Sequence, residues 1–495
     1  MNVRRIINNL AKPGETLSQR AIKGGFWVFS LRIVQQLFNL TRLVILARIL
    51  APHDFGLMGI ALLTMATLDT FSQTGFQQAL IQKKEDIKSH LDAAWSVLIL
   101  RGIVLFAILY FAAPLAATFF NAPEAKPIIQ VIGFAILFQA FTNIGVVYFQ
   151  KELEFNKQFI YQFAGTLADF IVAVSAVLIL RNVWALVFGL LAGNFVRFVV
   201  SYLIQSYRPH LSFDLRKANE LFSFGKWILG SSILIFLITQ GDDIFVGKLL
   251  GVAALGFYQL AYRISNMPAT EITHVISQVT FPAYSKLQDD IPRLREAYLK
   301  VLQATAFLSF PIAGLIFVLA PDFTKIFLGE KWMPMVPAMM VLVFWGLIRS
   351  IGATTGPIFD GIGKPKIATK LQFFQLILLA ILIYPLTMQW GILGTSSAVV
   401  FAALIANLAS AYVVIKITKC GLWKFCKMIG IPLINIIIVI LFMLTGRMYF
   451  INTFGLIDFS IFAVFGIFAY FAIGYLFNKS FSDKIKFIIK EYLRR

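Results

Sequence analysis

The stretch FGKWILGSSILIFLITQGDDIFVGKLLG, followed directly by VAALGFYQLAYRISNMPATEITHVISQVTFP, occupies residues 224–282 and decides the fold. It contains two apolar runs, each long enough to cross a hydrocarbon core of about 30 Å as a helix. The runs also hold ionisable side chains, namely Asp242, Asp243, Arg263 and Glu271. Because such groups are costly in hydrocarbon, the stretch predicts a membrane hairpin whose charged residues serve a function.

The beginning of this hairpin repeats a pattern found earlier in the chain. With a constant offset of 200, the repeated residues are Gly25, Trp27, Arg48, Leu50, Gly56 and Ala61, which correspond to Gly225, Trp227, Lys248, Leu250, Gly256 and Ala261. An even number of predicted spans separates the copies, so both have the same orientation and are related by an axis along the membrane normal. Such repeats are typical of secondary transporters, in which the substrate site lies at the repeat interface.

The composition indicates a polytopic membrane protein. Of 495 residues, 59% are hydrophobic and only 14% are charged, and the mean hydropathy is +0.80. The net charge of +20 is a topology signal, because most of the 44 lysines and arginines fall on the N-terminal side of the membrane with its alternate loops. By the positive-inside rule this side is cytoplasmic, and both termini are predicted there. Attraction to anionic lipids accounts for the rest of the basicity, so no nucleic-acid partner is expected.

Hydropathy predicts an all-α fold of about fourteen transmembrane helices, in two six-helix parallel-repeat lobes plus two extra C-terminal helices. The first apolar run is too long for a signal peptide and is predicted to remain as span 1. The predicted segments are a cytoplasmic basic lead (1–21), an N-terminal lobe (22–205), a cytoplasmic connector (206–221), a C-terminal lobe (222–415), spans 13 and 14 (416–477) and a basic amphipathic tail (478–495).

Polar residues recur at helical spacing along three of the predicted spans. The predicted lining residues are Gln35, Gln36 and Asn39 in span 1, Thr67 in span 2, and Gln259, Asn266 and Thr270 in span 8. Spacings of three and four residues place such side chains on one helix face. Unsatisfied polar groups cost several kcal/mol in hydrocarbon, so each stripe must face other helices or water. We therefore expect the stripes to line one cavity.

Three cations lie deep within the predicted spans: Arg32, Arg263 and Arg349. One interpretation is a cationic cavity, and the other is structural pairing with carboxylates. Arginine suits the first role because its planar guanidinium group can hold two phosphate oxygens at once. An amphiphile with an anionic diphosphate head would fit such a cavity.

Arg42 and Asp242 are equivalent positions in the two copies, near the outer ends of spans 1 and 7. Residues related by a two-fold axis can face each other, so we predict that Arg42 pairs with Asp242 or Asp243 to close an outer gate. The alternative is that the two aspartates only line a wet outer mouth.

Carboxylates within spans are also candidates for coupling transport to protons or sodium ions. The candidates are Asp69, Asp169 and Glu271, although each could instead neutralise a neighbouring arginine. No catalytic motif and no large loop is present, so the chain is not expected to be an enzyme. The four histidines are scattered and no cofactor or metal site is expected, while Cys420 and Cys426 are predicted to be free cytoplasmic thiols.

Four segments carry a resemblance to a known family: GDDIFVGKLLG (241–251), LGFYQLAYRISNMP (255–268), FPAYSKLQDDIPRLREAYL (281–299) and DGIGKPK (360–366). They resemble the Wzx-type oligosaccharide flippases, in particular the colanic-acid and teichuronic-acid exporter branch. These flippases belong to the multidrug/oligosaccharidyl-lipid/polysaccharide exporter superfamily. The resemblance covers essentially the whole chain.

This resemblance implies that the lobes surround a central cavity and work by alternating access in a bacterial plasma membrane. The implied cargo is an undecaprenyl-diphosphate-linked oligosaccharide, such as an O-antigen or exopolysaccharide repeat unit. Arg32 and Arg263 match in type the cavity arginines of the related lipid II flippases, and spans 13 and 14 would form a groove for the lipid tail. Membrane lipids are implied partners, and polysaccharide polymerase and export proteins are candidates.

Two other functions are alternatives. A cation-coupled multidrug antiporter of the same superfamily would favour a cavity rich in carboxylates and aromatic rings, whereas the deep charges here are mostly arginines. A membrane glycosyltransferase or polymerase would need a large loop or an acidic motif, and the sequence has neither.

Overall fold

The computed structural model describes residues 17–82, 87–212, 214–448 and 455–477, and within these ranges the chain is helical with no β-strand. The all-α class predicted from the sequence is therefore confirmed. Residues 1–16 of the predicted basic lead and the predicted tail, 478–495, lie outside the described residues.

The chain divides into two compact units. The first comprises Met1–Gln240 with Gly251–Gly256, and the second comprises Gly241–Leu250 with Phe257–Arg495. Because the division falls near the end of one helix and the start of the next, both helices contribute to both units. The lobe boundaries predicted at residues 205 and 222 stay predictions.

Eight α-helices lie wholly in the first unit: α1 Leu17–Ile49, α2 Pro52–Phe71, α3 Phe76–Gln82, α4 Lys88–Phe119, α5 Ala125–Phe141, α6 Val147–Lys151, α7 Phe155–Leu180 and α8 Trp184–Ile204. The two shared helices are α9 Leu215–Leu250 and α10 Val252–Lys286. The helices of the second unit are α11 Ile291–Phe323, α12 Val336–Gly352, α13 Gly356–Gly361, α14 Pro365–Thr418, α15 Leu422–Met448 and α16 Leu456–Phe477. Short 3-10 turns at Ile144–Val146 and Glu330–Met335 and a π-turn at Thr324–Leu328 complete the described elements.

Local sequence explains where several helices begin and end. Helix α2 starts with Pro52, and the Asp54 carboxylate accepts a hydrogen bond of 2.9 Å from the Ala51 backbone N–H. Proline is favoured at this position because a helix leaves its first N–H groups without partners. Helix α14 changes direction at Gly391, whose φ of +58° and ψ of −137° are non-helical. Only glycine adopts this conformation readily, so the 54-residue α14 consists of two helical segments.

Nine of the helices in the described ranges are long and apolar enough to cross a membrane, or ten if the bent pair Ala125–Phe141 and Ile144–Lys151 counts as one span. Helices α1, α9 and α10 are 33, 36 and 35 residues long and are not among the nine. Two of the three, α1 and α10, carry polar stripes predicted from the sequence. The membrane-spanning class is confirmed, and the count of fourteen stays a prediction.

Within the first unit, α7 packs along α8 and α1, and α4 packs along α5. Small residues allow these close approaches. A Cβ atom added to Gly102 of α4 would lie 2.3 Å from the Cβ of Ala140 in α5. A Cβ added to Gly189 of α8 would lie 2.6 Å from the Cβ of Ala173 in α7.

Within the second unit, α11 packs against α12, α15 and α16, and α12 packs along α14. Buried apolar side chains fill the space where α11, α15 and α16 meet, among them Phe307, Phe310, Val439 and Tyr470. Arg447 of α15 also lies 3.0 Å from an Asp322 carboxylate oxygen at the end of α11. The helices predicted as spans 13 and 14 thus pack on α11.

Candidate functional site

A buried ion pair joins α1 to α7 inside the first unit. The Arg42 Nη2 atom lies 3.0 Å from Asp169 Oδ1, and the two side chains are only 15% and 19% exposed. About two turns earlier in α1 and one turn earlier in α7, the Gln35 side-chain amide donates a hydrogen bond of 3.3 Å to the Thr166 hydroxyl. Gly189 of α8 makes room for the carboxylate, because an added Cβ there would lie 2.6 Å from Asp169 Oδ1.

The polar residues of α1 therefore lie on two adjoining surfaces of the helix, and only one of these faces α7. Gln35 and Arg42 face α7, whereas Arg32, Gln36 and Asn39 are spaced by four and three residues and occupy the adjoining edge of the helix. All three of these side chains are half-buried. Spacings of three and four residues place these five positions on one side of α1, and the contacts with α7 divide that side in two.

Asp69 has an arginine beside it at the end of α2. The Arg101 Nη2 atom lies 2.6 Å from Asp69 Oδ1, and the Arg101 Nε–H donates to the Ser72 carbonyl oxygen at 2.9 Å. Arg101 thereby satisfies carbonyl groups that the helix end leaves without partners. The Thr67 hydroxyl donates within its own helix, to the Leu63 carbonyl oxygen at 2.8 Å. Ion coupling by Asp69 or Asp169 stays a prediction, and each carboxylate has an arginine partner.

The second unit holds a pair of buried carboxylates. Asp242 and Asp243 are 1% and 8% exposed. The Tyr258 hydroxyl donates to Asp242 Oδ2 at 2.5 Å, and the Gln259 amide donates to Asp243 Oδ2 at 3.1 Å. These donors are uncharged. A gate formed by Arg42 with Asp242 or Asp243 stays a prediction, and the structure describes other partners for all three residues.

The carboxylate pair continues into an aromatic cluster in which the sequence pattern did not predict Tyr258 or Trp345. The ring centres of Tyr258 and Tyr262 lie 6.3 Å apart, and the Trp345 indole N–H donates to the Tyr262 hydroxyl at 3.0 Å. The Arg349 guanidinium is close enough to Tyr262 to interact with it electrostatically. We call Asp242, Asp243, Tyr258, Tyr262 and Trp345 the carboxylate–tyrosine cluster. The contact between Asp242 and Tyr258 was predictable from the hairpin. The two residues lie almost equally far from the turn at Gly251, so they come to similar depths on the paired helices.

Arg263 is an exposed cation on a helix that is long enough to span the membrane. At a helix centre an arginine facing lipid costs about 2.5 to 3.5 kcal/mol, so its exposed surface is expected to face water. Thr270, seven residues further along the same face, is also exposed, whereas Asn266 is buried and donates to the Tyr262 carbonyl oxygen at 3.1 Å. The Glu271 side chain lies outside the described residues.

The three predicted cavity cations are divided between the two units. Arg32 is half-buried in the first unit, and the second unit contains the half-buried Arg349 and the exposed Arg263. The chamber predicted to unite them stays a prediction.

The two cysteines differ in their surroundings. Both are free thiols, with Cys420 buried and Cys426 exposed. Burial raises the pKa of the Cys420 thiol, and nearby Arg295 and Lys424 partly oppose this shift. Among the residues that the structure describes, no three His, Cys, Asp or Glu side chains are grouped so that they could hold a metal ion.

Comparison with known proteins gives consistent results. A family model described as "Polysaccharide biosynthesis protein" matches residues 45–337. The chain is 28% identical to the lipopolysaccharide biosynthesis protein WzxC of Escherichia coli (strain K12), over 81% of this chain and 82% of that protein. It is also 28% identical to the teichuronic acid biosynthesis protein TuaB of Bacillus subtilis (strain 168), over 59% of this chain and 61% of TuaB.

Solved structures share the fold at lower identity. The lipid II flippase MurJ, in an inward closed conformation, superposes with a TM-score of 0.73 at 16% identity, covering 93% of this chain and 99% of MurJ. An inward-facing multidrug resistance MATE family transporter gives a TM-score of 0.56 at 17% identity, covering 78% of this chain and 96% of that transporter.

Proposed function

The chain belongs to the polysaccharide biosynthesis protein family, and from this membership we propose that it flips an undecaprenyl-diphosphate-linked oligosaccharide across the bacterial plasma membrane. The protein is a multi-pass membrane transporter. The observation that carries the choice of cargo is the exposed Arg263 on a membrane-length helix, because a fixed cation there suits an anionic head group. We infer that it acts without enzymatic chemistry.

The proposed binding mode assigns one part of the cargo to each kind of side chain. The diphosphate binds Arg32, Arg263 and Arg349 in a cavity open to the cytoplasm, because guanidinium groups hold phosphate oxygens in pairs. The sugars contact the remaining polar side chains of the stripes, including Gln36 and Asn39. The two lobes then rock so that the cavity faces the outside, as alternating access requires.

The proposal extends to orientation and partners. Both termini are cytoplasmic, as the distribution of lysine and arginine predicts. Membrane lipids surround the protein, and polysaccharide polymerase or export proteins are its candidate partners. Coupling to a proton or sodium gradient would involve Asp69, Asp169 or Glu271.

One observation favours a second candidate, a cation-coupled multidrug antiporter. Such a protein is expected to use carboxylates and aromatic rings, and the carboxylate–tyrosine cluster of the second unit contains both. Its two carboxylates are almost completely buried, however, so they are less accessible to a bulky cation than Arg263 is to an anion. We therefore favour the flippase.

The test is a strain that lacks the protein. We expect lipid-linked oligosaccharide to accumulate in the inner leaflet and surface glycan to disappear, with both reversed by the wild-type chain. Growth on cationic drugs measured in the same strain separates the two candidates. Normal surface glycan together with increased drug sensitivity would overturn the flippase and support the antiporter.

A further inference from the structure

Two glycines that are equivalent in the sequence repeat lie at one close backbone crossing. A Cβ atom added to Gly56 would lie 1.9 Å from the carbonyl oxygen of Val252, and one added to Gly256 would lie 2.0 Å from the carbonyl oxygen of Pro52. All four residues belong to the first compact unit. The obstacles are backbone atoms, which cannot move aside as the end of a flexible side chain can. Any side chain larger than hydrogen therefore requires the crossing to separate.

The two contacts are equivalent under the repeat. Adding 200 to Pro52 and Gly56 gives Val252 and Gly256, so each glycine faces the first helical residue of the other copy. A two-fold axis produces this reciprocal arrangement, in which residue i of one copy contacts residue j of the other and the reverse also holds. The two contacts are those expected of helix starts that are related by the predicted repeat axis.

Buried apolar side chains lie near the two glycines in the sequence of α2 and α10. On the α2 side, Leu57 is 4% exposed and Ile60 is fully buried, and Leu255 of α10 is fully buried as well. Membrane helices approach this closely where small residues line their contact. A direct backbone contact with buried apolar neighbours is the packing expected of a closed barrier to a polar cargo.

The predicted topology places this crossing on the outer side of the membrane. With a cytoplasmic N-terminus, α1 runs outward, so α2 and its repeat partner α10 both begin at the outer face. We propose that Gly56 and Gly256 are positioning residues of the outer gate, whose direct crossing closes the outer end and must separate for cargo release. This inference rests on the proposed alternating-access transport. It also gives the gate a steric closure in addition to any charge pairing.

The test measures access of water from the outside and needs no substrate. Thr64 follows Gly56 by eight residues in α2 and shares a helix face with Thr67, three residues further on. It is replaced by cysteine in a chain carrying Cys420→Ser and Cys426→Ser. Intact cells are treated with a membrane-impermeant maleimide. We expect Gly56→Val and Gly256→Val each to raise the labelling rate at Thr64→Cys by about tenfold or more, because either side chain holds the gate apart.

Matched controls separate gating from general damage. Gly102→Val introduces a clash with Ala140 in the α4–α5 contact, and Gly230→Val adds a side chain where no atom lies within 4 Å. Both controls are expected to leave the labelling rate unchanged. If the valine variants of Gly56 and Gly256 do not fold, alanine at the same positions should give a smaller increase in the same direction.

Three results would overturn the gate. These are unchanged labelling in folded Gly56 and Gly256 variants, an equal increase in Gly102→Val, or an increase seen only in inverted vesicles labelled from the cytoplasmic side. Because labelling does not depend on cargo, increased labelling of the glycine variants together with normal surface glycan in the deletion strain would retain the gate and reject the proposed cargo.

Discussion

The Arg42 guanidinium lies 3.0 Å from the Asp169 carboxylate and joins α1 to α7 through the interior of the first unit. Both groups are largely withdrawn from water, so their mutual attraction contributes to compensating the two charges. Removing one partner of a buried pair leaves an uncompensated charge, which costs about 3 to 5 kcal/mol. The pair is thus a structural element of the first unit whatever else it does.

We therefore predict that Arg42→Ala and Asp169→Ala each lower the free energy of unfolding by about 3 kcal/mol. Thermal unfolding of the purified protein in detergent measures the loss of stability in each variant. The double variant should lose less than the sum of the two single variants, since it leaves no lone charge. As a control, Lys157→Ala removes an ion pair with Glu154 in which both side chains are more than a third exposed, and it should cost less than about 1 kcal/mol.

A charge swap distinguishes this pair from the predicted gate. Arg42→Asp combined with Asp169→Arg should recover part of the stability lost by the single variants. Arg42→Asp combined with Asp242→Arg should recover none of it. The opposite pattern would assign Arg42 to the gate.

For the proposed cargo, we predict that Arg263→Ala lowers the flipping rate by about 10- to 100-fold, because a hydrogen bond to a charged group contributes about 1.5 to 3 kcal/mol. Arg263→Lys should retain part of the activity, since it keeps the charge but loses the two-point contact. Transport of fluorescent lipid-linked oligosaccharide in proteoliposomes measures the rate. Arg293→Ala, which alters an exposed arginine at the start of α11, is the matched control and should have wild-type activity. Equal rates in Arg263→Ala and wild type would remove Arg263 from the site.

The sequence predicted the repeat and the membrane class because both depend on periodic apolar runs that local residues determine. The equivalence of Gly56 and Gly256 was also evident from the repeat, although their crossing was not. The pairing of Arg42 with Asp169 was not predictable, because it depends on how α1 is rotated against α7. Hydropathy gives the polar face of a helix but not the neighbour that each polar residue meets.

The contacts of Asp242 and Asp243 illustrate the same limit within a single hairpin. Their spacing from Tyr258 and Gln259 around Gly251 is visible in the sequence. The repeat instead suggested Arg42, since equivalent positions can meet across an axis. The carboxylates instead accept hydrogen bonds from a nearby tyrosine and glutamine. Both donors are uncharged, so a search of the sequence for opposite charges does not find them.

The two cysteines test the predicted orientation. We expect an impermeant maleimide to label Cys426 rapidly in inverted vesicles and not in intact cells, because its position is predicted to be cytoplasmic and its side chain is exposed. Cys420 should react more slowly, since it is buried and the raised pKa of its thiol lowers the thiolate fraction at neutral pH. Its labelling should increase as the pH is raised, whereas Cys426→Ser should remove the fast phase at pH 7. Labelling of Cys426 in intact cells would reverse the topology.

Finally, the hydroxyl of Tyr258 is predicted to stabilise the second unit through Asp242. Tyr258→Phe removes the donor to a buried carboxylate while preserving the ring, so the free energy of unfolding should fall by about 1 to 3 kcal/mol. Tyr284→Phe is the matched control, because the Tyr284 hydroxyl is buried with no hydrogen-bond partner among the described residues. Removing that hydroxyl should be neutral or slightly stabilising, since it relieves an unsatisfied polar group. Thermal unfolding compares the two variants directly, and equal losses of stability would show that the Tyr258–Asp242 hydrogen bond contributes nothing specific.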